Sequence, residues 1–224
     1  MDGKRTYEFT DETVLAGVIV LHRIRAVVDI PARGVSAGDL GGFIEGEKNL
    51  SGDAWVSGNA RVSGDARVSG DARVYGDAWV SGDAWVSGDA WVSGDAWVSG
   101  NARVYGNARV SGDARVYGNA RVYGDARVSG DAWVSGDAWV SGDAWVSGDA
   151  WVSGDADYIV FKNWWSSGRW FTWTRSNNMW RVGCFYGTGE ELIAKAYRDG
   201  EISGREYERV VHYVEAIIAA TGQN

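Results

Sequence analysis

The sequence predicts an all-β solenoid followed by a small α+β domain, on the strength of a repeat, its internal spacing and the place where it stops. Seventeen consecutive six-residue units, Ser/Tyr-Gly-Asp/Asn-Ala-Trp/Arg-Val, run unbroken from Ser51 to Val152. In each unit Ala and Val flank one large residue, so on an extended chain they point to one face and Trp or Arg to the other. Each unit also carries Gly before Asp or Asn, which suits a corner, because Gly reaches positive φ and the polar side chain can bond nearby backbone. Ala and Val are therefore read as core, Trp or Arg as the outer face, and the corner Asp as closing its own turn.

A helix is excluded by the period of six and by a Gly in every unit, which costs roughly 1 kcal/mol each relative to Ala. An antiparallel meander is excluded because the corner is the same every time. Three units per coil, eighteen residues, stacked as parallel strands satisfies all copies equally. The solenoid, residues 51–156, then holds seventeen units, about 5.7 coils, near 27 Å at an interstrand spacing of ~4.8 Å.

Residues 1–50 read as strands, Tyr7 to Thr10 and Val14 to Ile30, that cap the first coil, with Pro31 ending the run. A coil end left open would expose strand edges and core. Residues 157–224 leave the period and read as three strands and two helices: Tyr158 to Phe161, Arg169 to Arg175 and Met179 to Tyr186, the last two joined by Ser176-Asn177-Asn178. Thr188-Gly-Glu-Glu191 and Ser203-Gly-Arg-Glu206 both fit a capping box at a helix start, and Gly200 and Gly222 stand where the helices should stop. Tyr207, Val210, Val211, Val214, Ile217 and Ile218 recur at helical spacing, so one face of the second helix is buried.

The repeat Val-Ser-Gly-Asp-Ala-Trp resembles the hexapeptide signature of left-handed parallel β-helix proteins. That resemblance, and not the spacing, implies the left hand, against the usual right-handed crossover. Ile44 and Leu50 extend the aliphatic register backwards into two degenerate copies, Asp39 to Ile44 and Glu45 to Leu50. The lead-in Ala37-Gly-Asp-Leu-Gly-Gly-Phe-Ile-Glu45, followed by Asn49-Leu50-Ser51, is similar to the solenoid entry of uncharacterised bacterial and phage or prophage members, over roughly residues 15–156. The family's common homotrimers imply a trimer here. Its acyltransferases use a catalytic His and its γ-class carbonic anhydrases three His ligands, whereas this chain has only His22 and His212, neither in the repeat. An acyltransferase-like activity is accordingly disfavoured.

Net charge is −8, and thirteen Asp against eight Arg leave the repeat at −5, which argues against generic nucleic-acid binding while leaving room for a local anion site. No stretch has the apolar length of a membrane span, and the N-terminus lacks a secretory pattern, so a cytoplasmic location is expected. The lone Cys184 precludes an intramolecular disulfide and is placed in a strand as a buried thiol. No metal cluster, phosphate loop or catalytic triad spacing is present, so no enzyme activity and no cofactor are expected.

Eighteen-residue coils sort the outward residues into three columns: Trp55, Arg73, Trp91, Arg109, Arg127, Trp145; Arg61, Trp79, Trp97, Arg115, Trp133, Trp151; and Arg67, Trp85, Arg103, Arg121, Trp139. Only the second sets Trp beside Trp, so Trp79, Trp97, Arg115, Trp133 and Trp151 form the first candidate binding face, for self-association or for stacking a planar ligand. Tyr105 and Tyr123 share a corner and should stack. The C-terminal domain gathers Trp164, Trp165, Trp170, Trp173 and Trp180 among Arg169, Arg175, Arg181, Asn177 and Asn178, with Trp170, Thr172 and Thr174 on one sheet face and Phe171, Trp173 and Arg175 on the other. Arg169, Trp170, Trp173, Arg175, Asn177 and Asn178 are the second candidate surface. Two functions follow: a self-associating scaffold that presents its C-terminal domain to a partner such as a host protein, or a binder that sequesters a small nucleotide signal used in host defence.

Overall fold

The computed structural model describes residues 5–164 and 167–220; Trp165 and Gly222 therefore fall outside the described residues. The chain divides into two compact units, residues 1–155 and 156–224.

In the first unit a hairpin of β1 (Tyr7–Ala16) and β2 (Ile19–Ala26) turns at Gly17, in place of the long Val14 to Ile30 strand, and pairs antiparallel with β3 (Leu40–Ile44). Between β2 and β3 the chain makes a 3-10 turn at Pro31–Arg33. Seventeen two-residue strands follow, β4 (Trp55–Val56) to β20 (Trp151–Val152), one per repeat unit. Each pairs in parallel with the strand eighteen residues away, as in Trp79↔Trp97 and Val80↔Val98. The result is a parallel solenoid of eighteen-residue coils with three sheets, one per expected column. Both degenerate copies join the first coil, Ile44 opposite Val62 and Leu50 opposite Val68.

Every Ala and Val of the array is fully buried. The corner closes through main-chain bonds such as Ala60 N–H to Ser57 O, 3.3 Å, with the intervening Gly58 at φ +68°. Successive coils approach so closely there that a Cβ on Gly58 would lie 3.1 Å from the Gly76 carbonyl oxygen. Three corner asparagines also bridge coils, Asn59 donating to Asp77, Asn107 to Asp125 and Asn119 to Asp137, each one coil on. Carboxylates stacked one coil apart repel, so an Asn between them replaces repulsion with a hydrogen bond.

The cap is fitted by close approach. A Cβ on Gly42 would lie 2.6 Å from the Ala60 carbonyl oxygen, which explains the paired glycines of the lead-in. Buried Asn49 donates to the carbonyls of Gly64 and Ala66 and accepts from the Gly46 N–H, satisfying main-chain groups the first coil would otherwise leave open.

The second unit has four strands in one antiparallel sheet, β21 (Tyr158–Lys162), β22 (Trp170–Thr174), β23 (Met179–Val182) and β24 (Phe185–Gly187), then α1 (Gly189–Asp199) and α2 (Glu201–Ala220). The single strand expected over Met179 to Tyr186 is split by a turn with Gly183 at φ +58°, which leaves Cys184 exposed instead of buried. Thr188 forms the expected capping box with Glu191, and Gly200 caps α1. Helix α2 starts at Glu201, earlier than the capping box read at Ser203, because the Gly204 N–H already bonds to the Gly200 carbonyl. Phe171, Trp173, Trp180 and Val182 pack with Leu192, Tyr207, Val211 and Val214 into one core, so the Phe171/Trp173 face is the one that meets the helices.

Candidate functional site

Seven of the nine Trp of the array contact the residue sixteen positions earlier, at the corner of the preceding coil. In four of the five cases where that residue is Ser, the indole N–H donates to its hydroxyl: Trp79 to Ser63 at 3.2 Å, Trp97 to Ser81 at 3.3 Å, Trp145 to Ser129 at 3.0 Å and Trp151 to Ser135 at 3.3 Å; Trp85, above Ser69, instead has a guanidinium on either side, from Arg67 and Arg103. Where it is Tyr, the two rings meet edge to face, as for Tyr75 with Trp91, Tyr117 with Trp133 and Tyr123 with Trp139. In seven Arg–Trp pairs the guanidinium sits over the ring of a Trp next to it in the column at 4.7–5.5 Å, for about 0.5–1 kcal/mol each at an exposed site. Tyr105 and Tyr123 stack at 5.0 Å, as their shared corner suggests.

The second column is the most aromatic surface. Its sheet continues from the β1–β2 hairpin, and Ala16 and Leu21 of that hairpin cover Phe43, with Trp79 packed against them. Trp79 stacks on Trp97 with centroids 5.4 Å apart and planes within 8°. Beyond the hairpin the column opens: Trp97, Trp133 and Trp151 are 41%, 38% and 55% exposed. Arg115 lies between them with its guanidinium 5.0 Å from the Trp133 ring, and a shallow depression of about 170 Å³ runs from Trp97 past Arg115 and Tyr117 to Trp133. Trp133 and Trp151 meet edge to face at 6.2 Å. The five residues of the first candidate face thus share one sheet, although Trp79 is partly covered. Elsewhere not every outward Trp is open: Trp55 is 5% exposed.

The second candidate surface does not form one site. Trp173 lies in the core at 2% exposure, and its indole N–H donates to Asn178 Oδ1 at 2.9 Å, so it is no ligand contact. Asn178 sits at φ +52° in the β22–β23 turn, and Asn177 accepts from the Thr174 hydroxyl at 2.6 Å and the Met179 N–H at 3.2 Å. Both asparagines therefore build the turn. Arg175 adjoins that same turn, whereas Arg169 and Trp170 lie at the other end of β22. There Lys162 Nζ sits 4.0 Å from the Trp164 ring and 5.5 Å from the Trp170 ring.

His22 lies half-buried against Phe9 at 5.5 Å, and His212 is exposed on α2. Among the described residues no group of three His, Cys, Asp or Glu side chains is placed to hold a metal ion, and no helix is long and apolar enough to cross a membrane. In the cap Lys48 pairs with Asp65 at 2.6 Å, and that hydrogen bond holds the Asp65 carboxyl below its ordinary range.

Compared with known proteins, the array is similar to the YdcK beta solenoid repeat family, whose profile matches residues 54–70, 66–82, 96–112, 102–118, 114–126, 120–136 and 126–142. No curated protein matches the chain.

Proposed function

We propose that this chain is a non-catalytic scaffold that self-associates through the second column, three copies about a threefold axis, and displays its C-terminal domain to a protein partner. One observation carries the reading: Trp97, Trp133 and Trp151 stand open on a single sheet face. A contiguous exposed apolar patch on a soluble surface marks an interface, and aromatic residues with Arg are the types enriched at one. The repeat Ala-x-Val interior supports a rigid support for such a face, since every coil is anchored to the next by the ladder and the Trp–Ser bonds. A phage or prophage origin, implied by the lead-in, and a cytoplasmic setting belong to the same proposal.

Light scattering on the full chain tests it. The expected mass is three times the 24.3 kDa of one chain, falling to 24.3 kDa when Trp97→Glu and Trp133→Glu are combined. A native chain that runs as a monomer at micromolar concentration would sink the self-association.

A further inference from the structure

We propose that the groove where the Pro31–Arg33 turn meets the first column binds a linear anion carrying two or more phosphoryl groups. The groove, about 350 Å³, is lined by Arg33, Arg73, Trp91, Arg109 and Arg127. Four guanidinium groups in one depression are unusual in a chain of net charge −8, and their fork of N–H donors matches phosphate oxygens.

The arginines are anchored but not satisfied. Arg33 pairs with Asp71 and its side chain is only 7% exposed, yet its Nε is buried with no hydrogen-bond partner. Arg73 donates to the Ala32 carbonyl at 2.5 Å, and its Nε is likewise buried and unpartnered. A buried N–H without an acceptor carries the full cost of its lost hydration, which an incoming anion would relieve. Further along, Arg109 and Arg127 are direct cross-strand neighbours, an arrangement of like charges that is destabilising until a counter-charge is supplied.

The geometry also selects the kind of anion. Trp91 lies between Arg73 and Arg109, whose guanidinium carbons are 5.0 and 4.9 Å from its ring centroid, so both indole faces are occupied and no base or sugar can stack there. Arg73 to Arg127 spans three interstrand steps, roughly 14 Å at ~4.8 Å each, which is too long for one phosphate and suits a chain of them. Asp89 and Asp125 stand at the groove, but the corner between them is the neutral Asn107, which donates to Asp125 Oδ1 at 3.1 Å. The acidic corner column is thereby interrupted beside Arg109.

Titration calorimetry of the full chain with inorganic triphosphate at low ionic strength tests the site. Saturable binding is expected, weakening as salt is added. Combining Arg109→Gln with Arg127→Gln should lower affinity about tenfold or more, and Arg33→Met should lower it as well, whereas Arg103→Gln with Arg121→Gln in the third column should leave it within about twofold. A nucleoside triphosphate should bind as tightly as the inorganic ion. Absence of saturable heat, an equal loss in the third-column variant, or clearly tighter binding of the nucleoside would each overturn the assignment. The groove shares no residue with the second column, so this result and the oligomeric state are read separately.

Discussion

The Trp–Ser bond fixes what a single hydroxyl does in this fold. Ser129 accepts from the Trp145 indole, but Ser147, at the equivalent corner one coil later, has no Trp to receive, because position 163 is Asn and the repeat has ended. Its Oγ is buried without a partner. Ser129→Ala should therefore cost about 0.5–1.5 kcal/mol, the net worth of an ordinary hydrogen bond, while Ser147→Ala should be neutral or slightly stabilising because it removes an unpaired polar atom. Denaturant midpoints of the two variants check this, and equal losses would refute the pairing rule. The rule was present in the sequence, as a Trp at one position and Ser or Tyr sixteen before it. Columns defined by the coil length of eighteen do not reveal it, because the contact runs diagonally, sixteen residues apart.

Among the elements, the pair α1 and α2 depends on one missing side chain. Gly204 is buried under Tyr197, and a Cβ there would lie 2.3 Å from Tyr197 Cδ1. Alanine is the better helix former by about 1 kcal/mol, yet overpacking costs about 1–3 kcal/mol, so Gly204→Ala should lower the melting point of the C-terminal unit and Tyr197→Ala should restore much of it. The crossing is also tied by the Tyr197 hydroxyl donating to Glu208 at 2.6 Å, and this bond, then desolvation, raises the phenol above its ordinary range. With the folded value raised, that contribution is whole below the unfolded tyrosine value and disappears as pH climbs through the folded one. Element identity here was legible from helical spacing and the Thr188 capping box. Boundaries were not: Gly200 ends one helix and opens the next, and the Gly183 turn follows from a positive φ that no local pattern announces.

At the scale of the whole molecule the solenoid is a one-dimensional stack, in which each coil adds its own terms and an interface with its neighbours. Deleting residues 105–122, three repeat units, should leave a folded solenoid with every remaining rung in its column and a modestly lower melting temperature. Deleting residues 105–111, one unit and Ser111, should lower the melting temperature much further, because one corner loses a residue it needs to turn and the coils on either side no longer lie eighteen residues apart. Calorimetric melts distinguish the two, and equal tolerance of both deletions would contradict the register described here. Period, core and columns were all readable because each rests on the same local pattern repeated seventeen times. The arginine groove was not, since Arg33 arrives from a three-residue turn whose contact with Asp71 and the first column is tertiary and occurs once.

The parallel indoles of Trp79 and Trp97, 5.4 Å apart and within 8° of coplanar orientation, are close enough for their electronic transitions to couple. The chain thus carries an intrinsic chromophore pair whose ultraviolet circular dichroism depends on two neighbouring turns being seated on one another, an optical gauge of stacking that needs no attached label.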